Sequence, residues 1–462
     1  MVSTTGVPDT ENESLSLSEG KGKKHVQLIE KTYRNNTNSD YTEKIEALGK
    51  NFDYSSNSDH YWGDPELSTL YGTPLHEQAS LSQKLALNHL YWVGQYQHTA
   101  AAESNTMLYN QVTSGVFAKV GGYETLCKEL DFETYQERFH TNTFHRIGYK
   151  TKIAVLGKEA LGNPLPKKLE KGWLDRFNPQ QRLKQFKSLG TDSSLELFQE
   201  STLRSLTKLM LRDKSGYYSR FLEEKGSEVI PTTMGGLAAV TASPSAFKFL
   251  TLNWGSSPFL AAQYYSARMI ANMSLKTYEY RYYKHFKELE KTDEFIPTPT
   301  AVSYYHLLDE SFHTTMSQVI SQDVYKDFPK PTLYEKLLSN VIIYRLQRGL
   351  LSGLSAGLPA TFRDDACFMT SFYRLLISPL FGMSSQDALH WMEKCLCQEH
   401  EGFHVNLKYH QTLLSDLRRF FDRLDYLLPV NREMRLMAAG GSIDRAIQRN
   451  IPTFKQFASN VV

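Results

Sequence analysis

The sequence predicts an all-α protein, and three observations support that fold class. Apolar residues recur at helical spacing over long stretches, for example at Leu85, Leu90 and Val93. Alternating β-branched runs bounded by turn dipeptides are almost absent, which disfavours strands. Gly and Pro cluster between the periodic stretches. A chain of 462 residues can therefore form one large helical domain with additions.

The helical stretches follow one another between clear interruptions. Gly121 and Gly122 separate the first two, Pro297 ends the third long stretch, and Pro329 and Pro331 end the fourth. A mixed helical segment at 194–222 lies between the second and third long stretches. The predicted helices cover residues 82–112, 123–156, 194–222, 259–291, 301–325, 334–354, 372–381 and 385–428.

Composition divides the chain into an arm and a domain. Residues 1–61 are rich in Ser, Asn, Asp, Glu, Lys and Thr and poor in aliphatic residues, so we predict a flexible polar arm. Residues 62–462 are predicted to form the helical domain. It carries an irregular insertion at about 157–256 and a C-terminal helical extension at about 330–462.

Charge and cysteine content exclude several classes of protein. The 52 Lys and Arg nearly balance the 50 Asp and Glu, so a dedicated nucleic-acid binder is disfavoured. Four cysteines are too few for a disulfide framework. We find no signal peptide and no apolar run long enough to span a membrane. These features favour a cytoplasmic location, with neither nucleic acid nor membrane as a partner.

A repeated pattern of carboxylates and histidines is the strongest functional signal. Glu-x-x-His places both side chains on one helical face, and two such pairs lie on predicted long helices. Each pair follows a single Glu on the preceding long helix, 34 residues earlier in one case and 31 in the other. These six residues are Glu103, Glu137, His140, Glu279, Glu310 and His313.

This pattern is typical of a four-helix bundle that holds two metal ions. Carboxylates can bridge two ions, imidazole adds a neutral nitrogen to each, and open positions remain for dioxygen. The ligand types suit two iron ions and are also compatible with manganese. The sequence therefore predicts a dinuclear metal site that uses O2 and an external reductant, with no catalytic residues beyond the ligands.

His306 extends the pattern to His306-x-x-x-Glu310-x-x-His313. In this form it resembles the p-aminobenzoate N-oxygenase-like diiron proteins, whose last metal-binding helix carries the same three residues. The resemblance covers roughly residues 81–325 and implies a ferritin-like helical bundle with additional peripheral helices. It also implies that all seven residues, the six above and His306, are metal ligands.

In length and layout the chain also resembles the cyanobacterial dimetal-carboxylate fatty-acyl halogenases. That resemblance implies chlorination of an unactivated carbon in a carrier-protein-bound acyl chain, with chloride as co-substrate, in natural-product biosynthesis. Two alternatives stay open within the diiron enzymes: N-oxygenation of an arylamine to a nitroso or nitro compound, and hydroxylation or desaturation. Outside that class, an iron-storage or structural metal protein and a catalytically inactive binding module stay open. The implied partners are an acyl carrier protein and an electron donor, and a homodimer is compatible with the sequence.

Four further features have less specific patterns. Asp309 can orient a ligand histidine of a neighbouring helix. Glu401 and His404 form a third Glu-x-x-His pair without an upstream partner Glu, so we expect a position at the surface or behind the ligands. Residues 167–187 form a basic segment that suits an acidic carrier protein. A second basic candidate on the last predicted helix consists of Arg418, Arg419 and Arg423.

Overall fold

The computed structural model describes residues 23–158, 192–212, 217–230, 244–354 and 365–461. The regular structure in these ranges is helical and contains no strand, which confirms the all-α class. The α-helices are α1 (Lys24–Asn38), α2 (Thr42–Asn51), α3 (Pro74–Gln78), α4 (Leu81–Val120), α5 (Glu124–Leu156), α6 (Asp192–Arg212), α7 (Arg220–Lys225), α8 (Pro244–Trp254), α9 (Pro258–Thr292), α10 (Thr298–Gln322), α11 (Leu333–Leu346), α12 (Asp365–Ile377), α13 (Ser385–Cys397), α14 (Glu401–Phe421), α15 (Pro429–Arg432), α16 (Arg435–Gly440) and α17 (Ile443–Val461).

Two helical hairpins, α4–α5 and α9–α10, form the centre of the fold. The local sequence sets their ends. Ser80 and Gln83 form a capping box at the start of α4, and Ser257 caps α9 just before a proline that suits the first helical turn. Gly121 ends α4 with φ of 81°, a conformation that glycine adopts without strain. The predicted Gly turn between the first two long helices is therefore confirmed.

Several predicted helices differ from the structure in extent, including the one predicted at 372–381, which is Asp365–Ile377. The first continues to Val120, eight residues past its predicted end. The stretch predicted at 385–428 is divided into α13 and α14 by extended backbone at His400. The backbone N–H of Gly402 donates to the Gly72 carbonyl at 2.9 Å, and a Cβ on Gly72 would lie 2.7 Å from Gly402 N. This close contact holds the start of α14 against the loop before α3, which local periodicity does not reveal.

The prediction of a flexible arm up to residue 61 is wrong for the described part of that segment. Residues 24–38 and 42–51 form α1 and α2, which pack on α5 and α10. Ile29 and Ile45 are buried. Asn36 is also fully buried, and its side chain forms hydrogen bonds to α5. A few apolar residues and one buried amide are enough for order because the long helices supply the rest of the contact surface. Residues 1–22 lie outside the described part.

The C-terminal helices take two positions around the hairpins. α12, α13 and α17 share an apolar cluster with Leu75 and Leu87, whereas α14 lies against α9. The predicted insertion at 157–256 is described only in part, and its basic segment 167–187 lies outside the described residues. The division into a domain, an insertion and an extension remains a prediction.

Candidate metal centre

The seven predicted ligands meet inside the two central hairpins. Glu103 is on α4, Glu137 and His140 are on α5, Glu279 is on α9, and His306, Glu310 and His313 are on α10. All seven side chains are buried, and none is more than 6% exposed. The helical spacing of each Glu-x-x-His pair turns both of its side chains inward, as the sequence predicts.

Six of the seven belong to two overlapping groups of candidate metal ligands. Within each group, the ligand atoms lie within 4.8 Å of one another. The larger group contains Glu103, Glu137, His140, His306 and Glu310. The smaller contains Glu133, Glu137 and His313. Glu137 belongs to both, and Glu310 Oε1 also lies 2.7 Å from His313 Nδ1. The two carboxylates Glu137 and Glu310 therefore lie between the groups, where bridging ligands of a dinuclear site would be needed.

Two histidines have one ring nitrogen directed to the centre, while the other ring nitrogen contacts a side-chain oxygen on the opposite side of the imidazole. His140 Nδ1 faces Glu137 and its Nε2 lies 3.2 Å from Asp309 Oδ2. His313 Nδ1 faces Glu310, and its Nε2 lies 2.9 Å from Gln136 Oε1. An Nε2–H that donates to these oxygens leaves each Nδ1 lone pair free for a metal ion. The predicted role of Asp309 as the partner of a histidine on a neighbouring helix agrees with this geometry.

His306 is placed differently, between Glu103 and Glu279. Its Nε2 lies 2.9 Å from Glu103 Oε1, and its Nδ1 lies 2.6 Å from Glu279 Oε1. Tyr96 donates its hydroxyl to the same Glu279 oxygen at 2.9 Å, and Phe144 packs edge-on against the imidazole. Glu279 thus lies behind His306 and outside both groups, so its role as a ligand remains a prediction.

Glu133 and Arg268 belong to the centre and were missed by the sequence analysis. Glu133 is buried one turn before Glu137 on α5 and contacts the Arg268 guanidinium. Nη2 of Arg268 also lies 3.6 Å from Glu137 Oε1. The four-residue spacing of Glu129, Glu133 and Glu137 was a detectable signal, but such spacing is usual on solvated helix faces. Only burial shows that these carboxylates line the interior.

A polar chain connects α1 to the centre. Asn36 Nδ2 donates to Glu129 Oε1 at 2.9 Å and to Gln136 Oε1 at 3.2 Å. Gln136 returns a hydrogen bond to Asn36 Oδ1 at 3.1 Å, and its Oε1 is the oxygen that faces His313. The orientation of one candidate ligand therefore depends on the N-terminal helix.

Burial and mutual contacts shift the pKa values of these groups strongly. Burial raises the pKa of Glu103 to about 8. Burial would lower the pKa of His140, but hydrogen bonds to Asp309 and Glu137 outweigh it and raise that pKa to about 9. Burial would raise the pKa of Glu310, but the neighbouring His313 and His306 hold it well below its usual range. Without metal, the site is therefore held together by shared protons, which metal binding would release.

The donor set fits divalent metal ions. Seven carboxylates are buried in the described residues, against one buried Arg and no buried Lys. Six of them have a buried oxygen without a hydrogen-bond partner, which are Glu103 Oε2, Glu129 Oε2, Glu133 Oε2, Glu137 Oε1, Glu279 Oε2 and Asp309 Oδ1. Buried unpaired carboxylate oxygens cost free energy, and metal ions would satisfy both the charge and the coordination.

The third Glu-x-x-His pair is a surface feature, as predicted. His404 Nε2 lies 2.9 Å from Glu399 Oε1, and both side chains are at least half exposed. Its local role is structural, since Gly402 within the pair contacts Gly72.

A groove of about 750 Å³ lies beside the centre, between α9, α10 and α14. Most of its lining is apolar, including Met273, Leu308 and Phe420, and Arg419 and Arg423 lie at its exposed edge. Arg418, the third predicted basic residue, instead donates to the Glu433 carbonyl at 2.7 Å and is not part of the lining. α9 and α10 contribute side chains both to the groove, for example Thr314, and to the small cavity beside the carboxylates, for example Asn272.

The fold and the site define an all-helical protein with a buried carboxylate–histidine centre that can hold two metal ions. A family model described as acyl halogenase CylC-like matches residues 24–458. The chain therefore belongs to the CylC-like acyl halogenase family, and the expected relation to acyl halogenases is confirmed. Comparisons with curated proteins and with solved structures gave no significant match. Over the described residues, every helix is too short or too polar to cross a membrane.

Proposed function

We propose that this protein is a dinuclear iron enzyme that uses O2 to chlorinate an unactivated carbon of a carrier-protein-bound fatty acyl chain. The observation that carries the proposal is the buried double group of carboxylates and histidines in a chain of the acyl halogenase family. The adjoining apolar groove supports an extended acyl substrate. Manganese is compatible with the same ligands.

The proposed reaction balances with one external electron donor. A C–H bond and a chloride ion become a C–Cl bond, which releases one proton and two electrons. The donor supplies two more electrons, and O2 takes all four together with four protons to form two water molecules. Two bound iron ions would supply the oxidising chemistry at this site.

The protein side chains position the reactants and exclude water. Glu103, Glu137, His140, His306, Glu310 and His313 would hold the ions, and Glu279 lies behind His306. Tyr96 and Phe144 pack around His306 and belong to a buried apolar cluster. A dry apolar wall next to the centre would protect the oxidant from side reactions.

The groove gives a route for the acyl chain to the centre. On α9, Asn272 and Leu275 line a small cavity with the carboxylates, whereas Met273 and Lys276 line the groove. Asn272 Nδ2 contacts Thr314 Oγ1 at 3.4 Å, between the two spaces. A chain in the groove would therefore reach the ligand groups where the Asn272 and Thr314 side chains meet, if these two side chains moved apart.

Intact-mass analysis tests the proposal. The iron-loaded protein is incubated with acyl carrier substrates, a reductant and oxygen, with chloride or in chloride-free buffer. We expect a chloride-dependent gain of one chlorine in place of one hydrogen. Only hydroxylated, desaturated or unchanged acyl product in the presence of chloride would reject halogenation.

The arylamine alternative is tested in the same way, with aminoarenes as substrates. Nitroso or nitro products, together with unchanged acyl substrates, would favour N-oxygenation. The family assignment and the apolar lining of the groove favour the acyl substrate.

A further inference from the structure

A small cavity of about 40 Å³ lies directly against the metal groups. One side is formed by Glu103, Glu137 and Glu310, and the other by α9 residues that include Arg268 and Asn272. A water molecule needs about 10–15 Å³ on a comparable measure, so the cavity has room for about three water molecules or for one larger monatomic ion. It is too small for an acyl chain, which the groove can accommodate.

Two hydrogen-bond donors of the cavity come from α9 and are buried. Arg268 is 7% exposed and forms ion pairs with Glu133 and Glu137. Its guanidinium also lies over the ring of Tyr265 in a cation–π contact. A guanidinium carries five N–H donors, so these contacts leave donors for a further ligand. Asn272 is 5% exposed, and its amide nitrogen makes a single long hydrogen bond to Thr314 in the described structure.

The α9 side of the cavity, with Arg268 and Asn272, suits an anion once metal is present. A guanidinium and an amide N–H group recognise anions, and charge-assisted hydrogen bonds are stronger than neutral ones. The three facing carboxylates would repel an anion in the metal-free protein. Two divalent ions would bring four positive charges to the same space, which outweigh the three negative charges of the facing carboxylates. Anion binding here should therefore depend on metal.

We propose that the cavity between Arg268, Asn272 and the carboxylates is the halide site of this protein. The inference rests on the proposed halogenation and adds to it a position and two donor residues. Chloride is slightly larger than water and fits a cavity that Ala102 and Ala271 keep open. The site lies across α9 from the groove, so halide and acyl chain would approach the centre from different sides.

Halide NMR line broadening tests the site without turnover. Protein loaded anaerobically with Fe(II) is titrated with chloride, and the metal-free protein is the first control. The variants are Asn272→Leu, which removes the amide donor, and Arg268→Lys, which keeps the charge and removes the planar fork. Asn406→Leu is the matched control, since Asn406 is also buried, donates within its own helix to Gly402, and lines neither cavity.

We expect metal-dependent broadening in the wild type and the Asn406 variant. Compared at equal metal occupancy, chloride affinity should be roughly tenfold weaker in each of the two cavity variants. Bromide added to crystals of the metal-loaded protein should give an anomalous peak in the cavity. Unchanged chloride affinity in both cavity variants, or a bromide peak elsewhere near the metals, would overturn the proposed site.

The outcome is separable from that of the proposed function. If acyl chlorination occurs but its chloride dependence is the same in both cavity variants, the function stands and this halide site is rejected. If no chlorinated product forms, yet chloride binds in a metal-dependent way that requires Asn272, the halide site stands and the function is rejected.

Discussion

At the residue scale, the centre depends on side chains that hold the candidate ligands from behind. Asp309 faces His140, Gln136 faces His313, and Glu279 faces His306. For His140 and His313, the contact uses the ring nitrogen that is directed away from the two ligand groups. For His306, it uses the ring nitrogen that is directed away from Glu103. Such partners fix the orientation and tautomer of an imidazole, and their loss usually weakens metal binding. The sequence suggests this role only for Asp309, because each partner lies on a different helix from its histidine.

Asp309 provides the clearest test at this scale. Asp309→Ala removes the acceptor at His140 Nε2, and we expect metal affinity to fall roughly 10- to 100-fold. Asp309→Asn still accepts through its amide oxygen and should lose less. Chelator competition with Mn(II), on protein shown to be folded by circular dichroism, measures both.

Asp323→Ala is the matched control, because Asp323 follows the same helix and forms an exposed ion pair with Lys326. Equal metal affinity for wild type and Asp309→Ala would contradict the positioning role.

At the element scale, α1 is part of the centre rather than an appendage. Its Asn36 contacts Glu129 and Gln136 on α5, and its Ile29 belongs to the largest apolar cluster. The contact between α1 and α5 contains a buried carboxyl group with one unpartnered oxygen, Glu129 Oε2. Burial raises the pKa of Glu129 to about 7, so the packing of these helices should respond to pH.

The sign of that response follows from proton linkage. The pKa of Glu129 is higher in the folded chain than its ordinary value of 4.5, so the native state keeps a proton that the unfolded chain releases. The resulting stability is complete below about pH 4.5 and is lost as pH rises through about 7. We expect wild type to lose up to about 3 kcal/mol of unfolding free energy from this group.

Glu129→Gln stays neutral and still accepts from Asn36. The unfolding free energy of this variant should fall less with rising pH than that of wild type, and the variant should be the more stable of the two above about pH 7. Urea denaturation of the metal-free protein at about pH 5 and about pH 8 measures this. The exposed Glu228→Gln is the control, and an identical decline in wild type and Glu129→Gln would disprove the linkage.

At the scale of the whole molecule, the C-terminal extension adds a groove beside the central hairpins. α14 lies against α9, and one wall of the groove is formed by Thr412, Asp416, Arg419 and Phe420 of α14 and by Arg423, which follows it. Arg419 is largely exposed and only loosely paired, 3.8 Å from Asp416. An acidic carrier protein docked at this edge would bring its acyl chain to the groove, and the charges would mainly raise the association rate.

Charge reversal at this edge tests carrier recognition. The double variant Arg419→Glu, Arg423→Glu should raise the apparent KM for carrier-bound acyl substrate roughly tenfold, with a smaller effect at high salt. Turnover of an acyl-pantetheine without carrier should change little. Arg418→Glu is the matched control, because Arg418 lies beside Arg419 but contacts Glu433 outside the groove. An equal loss with both substrates would indicate damage to the groove rather than to docking.

Helical spacing in the sequence is enough to predict the fold class and six members of the two ligand groups, because it decides which side chains share an inward face. The sequence also placed Asp309 correctly as a partner of a histidine on another helix. The remaining features of the site depend on contacts between helices. How the helices are rotated against one another decides three features of the site. These are the burial of Glu133, the position of Glu279 behind His306, and the contact of Arg268 with the carboxylates of α5. The order of residues 24–61 and the separation of Arg418 from the groove depend on contacts between distant segments, which local composition does not encode.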